Sequence, residues 1–444
     1  VMSDIVELSN YINGEWRQAI CEHWIEDYAP ATGALIARIP CSSREDVDAA
    51  VTAAQDASYG WASLSILERA DWLDKIADSL ESRAEEVAQL ESLDTGKPIS
   101  LARSVDAARS VANFRFFAEQ GREFQAETFE MIDATNKVLY KPVGVAGLIT
   151  PWNLPLYLLS WKVAPALLMG NTVVAKPSEM TPMTASLLAE VMEEVGLPIG
   201  VFNLVHGNGL DSGAPLTSHP DVDLVSFTGG TETGRQVAKS ASSGFKKLSL
   251  ELGGKNATII RADVDLENMM PSIVRASFLN QGQVCLCGSR ILIHEAIYDT
   301  FVEAFLEAVS DMIVGDPSDE ETELGALISE EHRDKVLSYI DLAEEEGGVI
   351  LCGGGAPVGI PSAFENGYWV SPTVIDGLEP DSRCATEEIF GPVVTLHPYS
   401  DDEEAIEIAN MTDYGLAGSI WTADVEAGSQ MAEKIDSGMI WVNC

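Results

Sequence analysis

"VSFTGGTETGRQVA", residues 225–238, runs from an apolar stretch through two adjacent glycines into a segment with helical spacing. A strand that turns tightly into a helix is the unit from which parallel sheets are built. At such a turn Gly229 and Gly234 let backbone approach a phosphate, and the helix N-terminus adds a partial positive charge. The spacing is not the G-x-G-x-x-G dinucleotide fingerprint, so a plain strand–helix turn stands as an equal reading.

The same rhythm continues on both sides. "VGVAGLIT", "NTVVAK", "GVFNLV", "VDLVSF" and "KKLSLEL" alternate with helical stretches such as "MTASLLAEVMEEV". Strand, helix, strand predicts a parallel sheet covered on both faces, with ligands at the carboxyl ends of its strands. After about residue 254 the alternation restarts with "ATIIRA", the helix "LENMMPSIVRASFLNQ", "SRILIHE" and a helix from about Ile297, which predicts a second α/β domain. Before residue 143 the chain reads as helices. "REDVDAAVTAAQDA" follows the N-cap pair Ser42–Ser43, and "ILERADWLDKIADSLESRAEEVAQLESLDTGKP" stops at Gly96 and Pro98. The final "SGMIWVNC" alternates like a half-buried strand.

Composition narrows the function classes. A chain of 444 residues, 46% of them hydrophobic, is globular and too long for one core. The net charge of -43, from 70 acidic and 27 basic residues, repels nucleic acid and anionic membranes. Solubility needs far less charge, so a high-salt cytoplasm that screens the self-repulsion is expected. No apolar run reaches the length of about 18 residues that marks a membrane span, and no secretory signal is visible, so a cytoplasmic location is expected. The seven cysteines are odd in number and scattered, which predicts reduced thiols without a zinc site.

The residues that carry chemistry sit at strand ends. "TPWNLP" (150–155) holds Asn153 between two prolines, as a turn cap or as an amide donor to a developing oxyanion. "VVAKPSE" (173–179) places Lys176 and Glu179 at a strand tip, solvated or holding ribose hydroxyls; a carboxylate there favours NAD over NADP. "LSLELGGKN" (248–256) ends a strand at Glu251, either ion-paired with Lys255 or buried and raised toward the range of a general base. "QGQVCLCGSR" (281–290) carries two cysteines too close for an unstrained disulfide and too few for zinc. Gly282 ends the preceding helix and leaves Cys285 in a loop able to face a cleft, either as a nucleophile or as a small packed thiol. Cys287 is expected to begin the next strand as a small buried hydrophobe. "ATEEIFGPVV" (385–394) sets Glu388 and Phe390 before a Gly-Pro turn.

The order "PWNLP", "KPSE", "FTGGTETG", "LELGGK", "GQVCLCGSR", "EEIFGP" resembles the aldehyde dehydrogenase superfamily over nearly the whole chain. The resemblance implies an α/β fold with a Rossmann-type cofactor domain, an α/β catalytic domain and a small β oligomerisation arm. The corresponding spans are 1–122 and 143–253 for NAD binding, 123–142 for part of the arm and 254–444 for the catalytic domain. It implies Cys285 as nucleophile, Glu251 as base and Asn153 as oxyanion donor. Trp152, Lys176, Glu179, Gly229, Gly234, Glu388 and Phe390 would surround an NAD cofactor, with no metal. The implied assembly is a homodimer or homotetramer acting on a small aldehyde.

Within the superfamily, "NFRFFAEQG", "PWNLPLYLLSWKVAPAL" and "NQGQVCLCGSR" resemble the group that oxidises 2-aminomuconate and 2-hydroxymuconate semialdehyde. Arg115 matches the position that binds the substrate carboxylate in that group; a helix-surface ion pair is its other reading. Betaine aldehyde or a general aliphatic aldehyde is the alternative substrate. A cysteine hydrolase or acyltransferase is the alternative of a different class. The superfamily also continues past the position of Cys444, so the resemblance implies a missing C-terminal part that would hold a second carboxylate-binding arginine.

Overall fold

The structure, a computed structural model, describes residues 5–444; residues 1–4 of the expected first segment lie outside the described residues. The chain divides into two compact units. The first comprises the chain up to Ala29, Ala34–Asp94 and Leu101–Glu251, and the second Pro30–Gly33, Thr95–Ser100 and Leu252–Cys444.

The main sheet of the first unit runs Lys247–Glu251, Leu224–Thr228, Val145–Ile149, Thr172–Lys176, Phe202–Leu204, Asn10–Ile12, Glu15–Arg17 in spatial order. Its first five strands are parallel, as their alternation with helices predicts. Val145–Ile149 and Thr172–Lys176 are buried at every position, which is why they read as continuous apolar runs rather than alternating ones. The last two strands are antiparallel additions.

Those additions overturn the all-helical reading of the chain before residue 143. Five short strands lie between Val6 and Pro40. One signal for them was present but unread: Asn13–Gly14 in "YINGEWR", with φ of 56° and 75°, is the two-residue turn of a hairpin pairing Ile12 with Glu15. Helix Arg44–Ser63 does start after Ser43, whose backbone N–H donates to Asp46 Oδ2 at 2.9 Å. The long helical pattern that follows is split into Ile66–Ser82 and Ala84–Thr95. Helix Ala108–Glu123 packs along Ile66–Ser82 and is preceded by a π-helical turn, Ala102–Ala107. The stretch expected to be an arm contains the hairpin Thr128–Glu130/Thr135–Lys137, exposed at every position.

The second unit has its own sheet in the order Val349–Cys352, Thr373–Asp376, Val393–Tyr399, Arg290–His294, Ala257–Ile260, Ala417–Trp421, Met439–Val442. Only the first pair is antiparallel. Successive side chains point to opposite faces. Ile260, Ile291 and Ile293 therefore join Phe278, Phe301 and Phe305 in one core, while Ile259, Leu292 and Ile420 join Tyr399 in the other. The final strand lies at the sheet edge, parallel to Ala417–Trp421. Cys287 does not begin a strand: its N–H closes a turn onto Val284 O at 3.0 Å, and the strand starts at Arg290.

Candidate active site

In the first unit the chain order of the parallel strands reverses at Val145–Ile149. The next two strands in sequence lie on one side of it, and Leu224–Thr228 lies on the other. Such a switch point opens a crevice at the carboxyl ends of the two central strands. The loop leaving Ile149 holds Trp152 and buried Asn153; the turn leaving Thr228 holds Gly229 and Gly230 and leads into helix Thr231–Ser242, where Gly234 is buried. A Cβ at Gly229 would fall 2.5 Å from the Phe227 ring, so a side chain there would have to displace that ring. Gly230 has open space where a side chain would stand. Thr150 Oγ1 and Thr231 Oγ1 are buried there without a hydrogen-bond partner among the described residues. A helix N-terminus, an open glycine and two unsatisfied hydroxyls fit a bound pyrophosphate.

On one side of this crevice Lys176 is buried at the tip of its strand. Its Nζ donates to Pro177 O at 2.9 Å and to Glu179 Oε2 at 3.2 Å. Burial lowers the amine's pKa, against the pull of Glu179. This contact holds the half-exposed Glu179 carboxylate at the carboxyl end of the strand. On the other side Glu251 ends the edge strand, paired with Thr228, and its carbonyl accepts from Gly229 N at 3.1 Å. Glu251 is exposed rather than buried, because it caps an edge strand whose burial pattern is mostly exposed.

Glu251 also lines a cavity of about 380 Å³ within this unit, with Phe117, Leu158, Trp161, Lys162 and Thr228. Phe117 and Trp161 stand 5.2 Å apart, centroid to centroid, and give the cavity an aromatic wall. Lys162 was not singled out in the sequence. It is buried, its Nζ donates to Ser226 Oγ at 2.8 Å, and burial lowers its pKa to about 8, opposed by the Glu251 charge. Its signal was a lone lysine inside the apolar run "YLLSWKVAPALL". Arg115 lies on the same helix as Phe117. Its guanidinium is engaged by Glu81 at 2.5 Å and Asp78 at 3.1 Å on the neighbouring helix.

The second unit holds the cysteines. Helix Leu266–Phe278 gives way to three consecutive residues of positive φ: Asn280 (55°), Gln281 (58°) and Gly282 (69°). Left-handed backbone at the two non-glycine residues costs about 1–3 kcal/mol each and must be held by its surroundings. Gln281 Nε2 donates to Ala326 O at 3.1 Å, and Gln283 Oε1 accepts from Ile328 N at the same distance. A Cβ at Gly282 would lie 2.0 Å from Gly391 O. Asn256 then fixes the cysteines: its Nδ2 donates to Cys285 O at 2.7 Å and Cys287 O at 3.0 Å, and its Oδ1 accepts from Ala417 N at 3.2 Å. Cys285 is half-buried on this loop. Cys287 is buried against Leu279 O, and burial, then the neighbouring Cys285, pushes its thiol up to about 12.

Beside this loop, Glu388 accepts from Gly254 N at 2.9 Å, and a Cβ at Gly253 would fall 2.2 Å from its Oε2. Burial raises the Glu388 carboxyl. Phe390 has φ of 64°, and its carbonyl is held by His332 Nε2 at 2.7 Å, a partner the sequence did not announce. Lys255, weighed as an ion-pair partner of Glu251, is fully buried in this unit, and burial lowers its amine to about 7. Both cysteines and Asn256 precede their strands, at the amino edge of the sheet. At the carboxyl edge, beside Ala257–Ile260 and Ala417–Trp421, polar side chains pair with one another. Arg261 there pairs with Asp402 at 2.9 Å and donates to Thr422 Oγ1 at 3.1 Å. Among the described residues no group of His, Cys, Asp or Glu could hold a metal ion.

Residues 16–444 match the family model described as the aldehyde dehydrogenase family. The chain belongs to the aldehyde dehydrogenase family. It is 46% identical to the 2-aminomuconic semialdehyde dehydrogenase of Mus musculus, with 99% of this chain and 91% of that protein aligned. It is 45% identical to the 2-hydroxymuconic semialdehyde dehydrogenase of Pseudomonas sp. (strain CF600), over 98% and 91%. Among solved structures it is similar to PnpE in complex with nicotinamide adenine dinucleotide, with a TM-score of 0.96 at 44% identity, over 98% and 89%. The α/β aldehyde dehydrogenase fold expected from the motif order is the fold observed. These matches do not support the truncation read from the sequence.

Proposed function

We propose that this aldehyde dehydrogenase oxidises a carboxylated semialdehyde, of the 2-aminomuconate or 2-hydroxymuconate kind, to the acid with NAD. The observation that carries the substrate class is the 46% and 45% identity, across nearly all of the chain, to enzymes named for those semialdehydes. The Cys285 thiolate adds to the aldehyde carbonyl, giving a thiohemiacetal. The Asn153 amide donates to its oxygen. When bound, NAD supplies the hydride acceptor. Gly229, Gly234 and the helix they introduce would hold its pyrophosphate, Lys176 and Glu179 a ribose, and Trp152, Glu388 and Phe390 its remaining length. Cys285 then carries the acyl group as a thioester, and Glu251 takes the proton from the water that releases the acid. The test is a panel of acidic and neutral aldehydes, scored by NADH formation; a preference for neutral aldehydes would replace the semialdehyde reading with betaine-aldehyde or aliphatic oxidation.

A carboxylated substrate calls for a cation. Arg115 was assigned that role, yet two carboxylates already engage it. Arg109, on the same helix and one turn before Asn113, is exposed and forms no ion pair among the described residues. Hydrogen bonds to charged groups contribute about 1.5–3 kcal/mol. Arg109→Ala is therefore expected to raise KM for the carboxylated semialdehyde roughly tenfold to a hundredfold and spare a neutral aldehyde. The same comparison on Arg115→Ala tests the first assignment; equal losses on both substrates in both variants would remove the carboxylate anchor from this helix.

The reading extends to a cytoplasmic homodimer or homotetramer. The hairpin at 128–137 leaves Phe129, Met131 and Ile132 exposed, and a second copy would cover them. No helix among the described residues is long and apolar enough to cross a membrane. Light scattering reads the assembly directly; a monomer at working concentration would overturn it. A host with a salt-rich interior accounts for the charge of -43. Screening length falls from about 10 Å at 0.1 M salt to about 3 Å at 1 M. The unfolding midpoint is expected to rise by several degrees between those concentrations of potassium chloride, and a flat profile would sink the salt-adaptation reading.

A further inference from the structure

Two cysteines with no part in the chemistry above lie together in the first unit. Strands Trp24–Ala29 and Ala34–Pro40 are antiparallel, with Trp24 opposite Pro40. The ladder continues one step further, where Cys41 N donates to His23 O at 2.9 Å. Cys21, two residues before His23, turns back toward Cys41, and its thiol lies against Cys41 O. Both side chains are half-buried, so a small reagent can reach them, and neither is in a disulfide. The Cys41 thiol has a second, polar neighbour: its Sγ donates to Asp211 Oδ2 at 3.7 Å and accepts from Asn208 Nδ2 at 3.5 Å. No metal-holding group includes them among the described residues.

We propose that Cys21 and Cys41 form a redox pair that closes a reversible disulfide in exchange with a low-molecular-weight disulfide. The geometry supplies the parts the exchange needs. The Cys21 thiolate attacks one sulfur of the reagent, forming a mixed disulfide and releasing one reagent thiolate. Cys41 loses its proton to the reagent thiolate just released. Its thiolate then attacks the Cys21 sulfur, forms the Cys21–Cys41 bond and expels the second reagent thiolate. Two protein thiols are oxidised by two electrons, and the reagent disulfide is reduced to two thiols. The ring closed spans the short strands between residues 21 and 41, which already hold the two ends together. Burial and the charges of Asp211 and Cys21 raise the Cys41 thiol, so Cys41 suits the resolving role rather than the attacking one.

The pair is placed to matter. Asn208 Oδ1 accepts from Leu210 N and Asp211 N, so it organises the turn at residues 209–213. Ser212 Oγ of that turn donates to Ser42 O at 2.6 Å, next to Cys41. Cys41 also lies close enough to Lys176 for its charge to act on that amine. Disulfide formation itself does not depend on the aldehyde chemistry proposed above, and its test needs neither cofactor nor substrate.

The test is thiol mapping of the full chain. The reduced protein is equilibrated with glutathione and glutathione disulfide in graded ratios, quenched in acid, alkylated, digested and read by mass spectrometry. The expected result is a cross-linked pair of peptides carrying Cys21 and Cys41, with loss of those two from the seven alkylatable thiols and full recovery in dithiothreitol. In Cys21→Ser the cross-link is absent; in Cys41→Ser, Cys21 is trapped as its glutathione adduct. The wild-type map decides the matter even where a variant fails to fold. Separate glutathione adducts on Cys21 and Cys41, complete alkylation of both under the most oxidising ratio, or a cross-link joining either to another cysteine would each overturn the proposal.

Discussion

Cys285→Ser is expected to lower NADH formation by on the order of 10⁴-fold or more while leaving NAD binding intact. A serine hydroxyl has nearly the volume of the thiol, so the loop that carries it keeps its wiring through Asn256, Gln281 and Gln283. What changes is chemistry: the thiolate forms near neutral pH and attacks a carbonyl, whereas an unassisted hydroxyl does neither well. The neighbouring thiol cannot substitute. Cys287 is 8% exposed, lies 3.6 Å from Leu279 O and has its pKa pushed up to about 12. Cys287→Ser should accordingly retain turnover near that of the parent. Stopped-flow absorbance measures the first variant, and calorimetric titration with NAD checks that its cofactor affinity holds. Turnover of Cys285→Ser comparable to the parent would end the covalent mechanism.

Glu251→Gln is expected to divide the reaction in two. The first turnover should still deliver its NADH as a burst, because the base is needed only to activate water against the thioester. Steady-state turnover should then fall by about 10²- to 10⁴-fold, the range over which a positioned base contributes. The amide keeps the shape of the carboxylate in its cavity beside Lys162 and Thr228 but cannot take a proton. Rapid-mixing kinetics with a saturating aldehyde distinguish the outcomes. A first turnover as slow as the rest would move Glu251 from the release of the acid to the attack of the thiol.

How far the sequence could reach follows from which interactions are local. The five parallel strands and their order of appearance were readable, since each is an apolar run between helical segments. Val145–Ile149 and Thr172–Lys176 are buried on both faces, and burial of that kind leaves a clear mark in composition. The strands before residue 41 were not readable in the same way. Asn10–Ile12 and Glu15–Arg17 are three residues each, too short for a periodic signal, and they exist because a distant sheet edge accepts them. Within the candidate site, Cys285, Asn153 and Glu251 stood out because glycine or proline frames each of them. Lys162 and His332 did not, because a buried lysine in a helix and a histidine holding a carbonyl acquire their meaning only from Ser226 and Phe390, far away along the chain. Arg115 shows the opposite limit: its spacing was legible, but its two acidic partners, Asp78 and Glu81, belong to another helix.

The amide of Asn256 grips Cys285 O, Cys287 O and Ala417 N at once. Laboratory evolution of new specificity should therefore find position 256 intolerant of every replacement, even aspartate, which would turn the donor facing two carbonyls into an acceptor. Diversity has to be sought in the side chains flanking the sulfur, Val284 and Leu286, whose backbone that grip keeps in register. A library that spares the asparagine and randomises those two neighbours would explore new aldehydes without loosening the platform on which any of them must react.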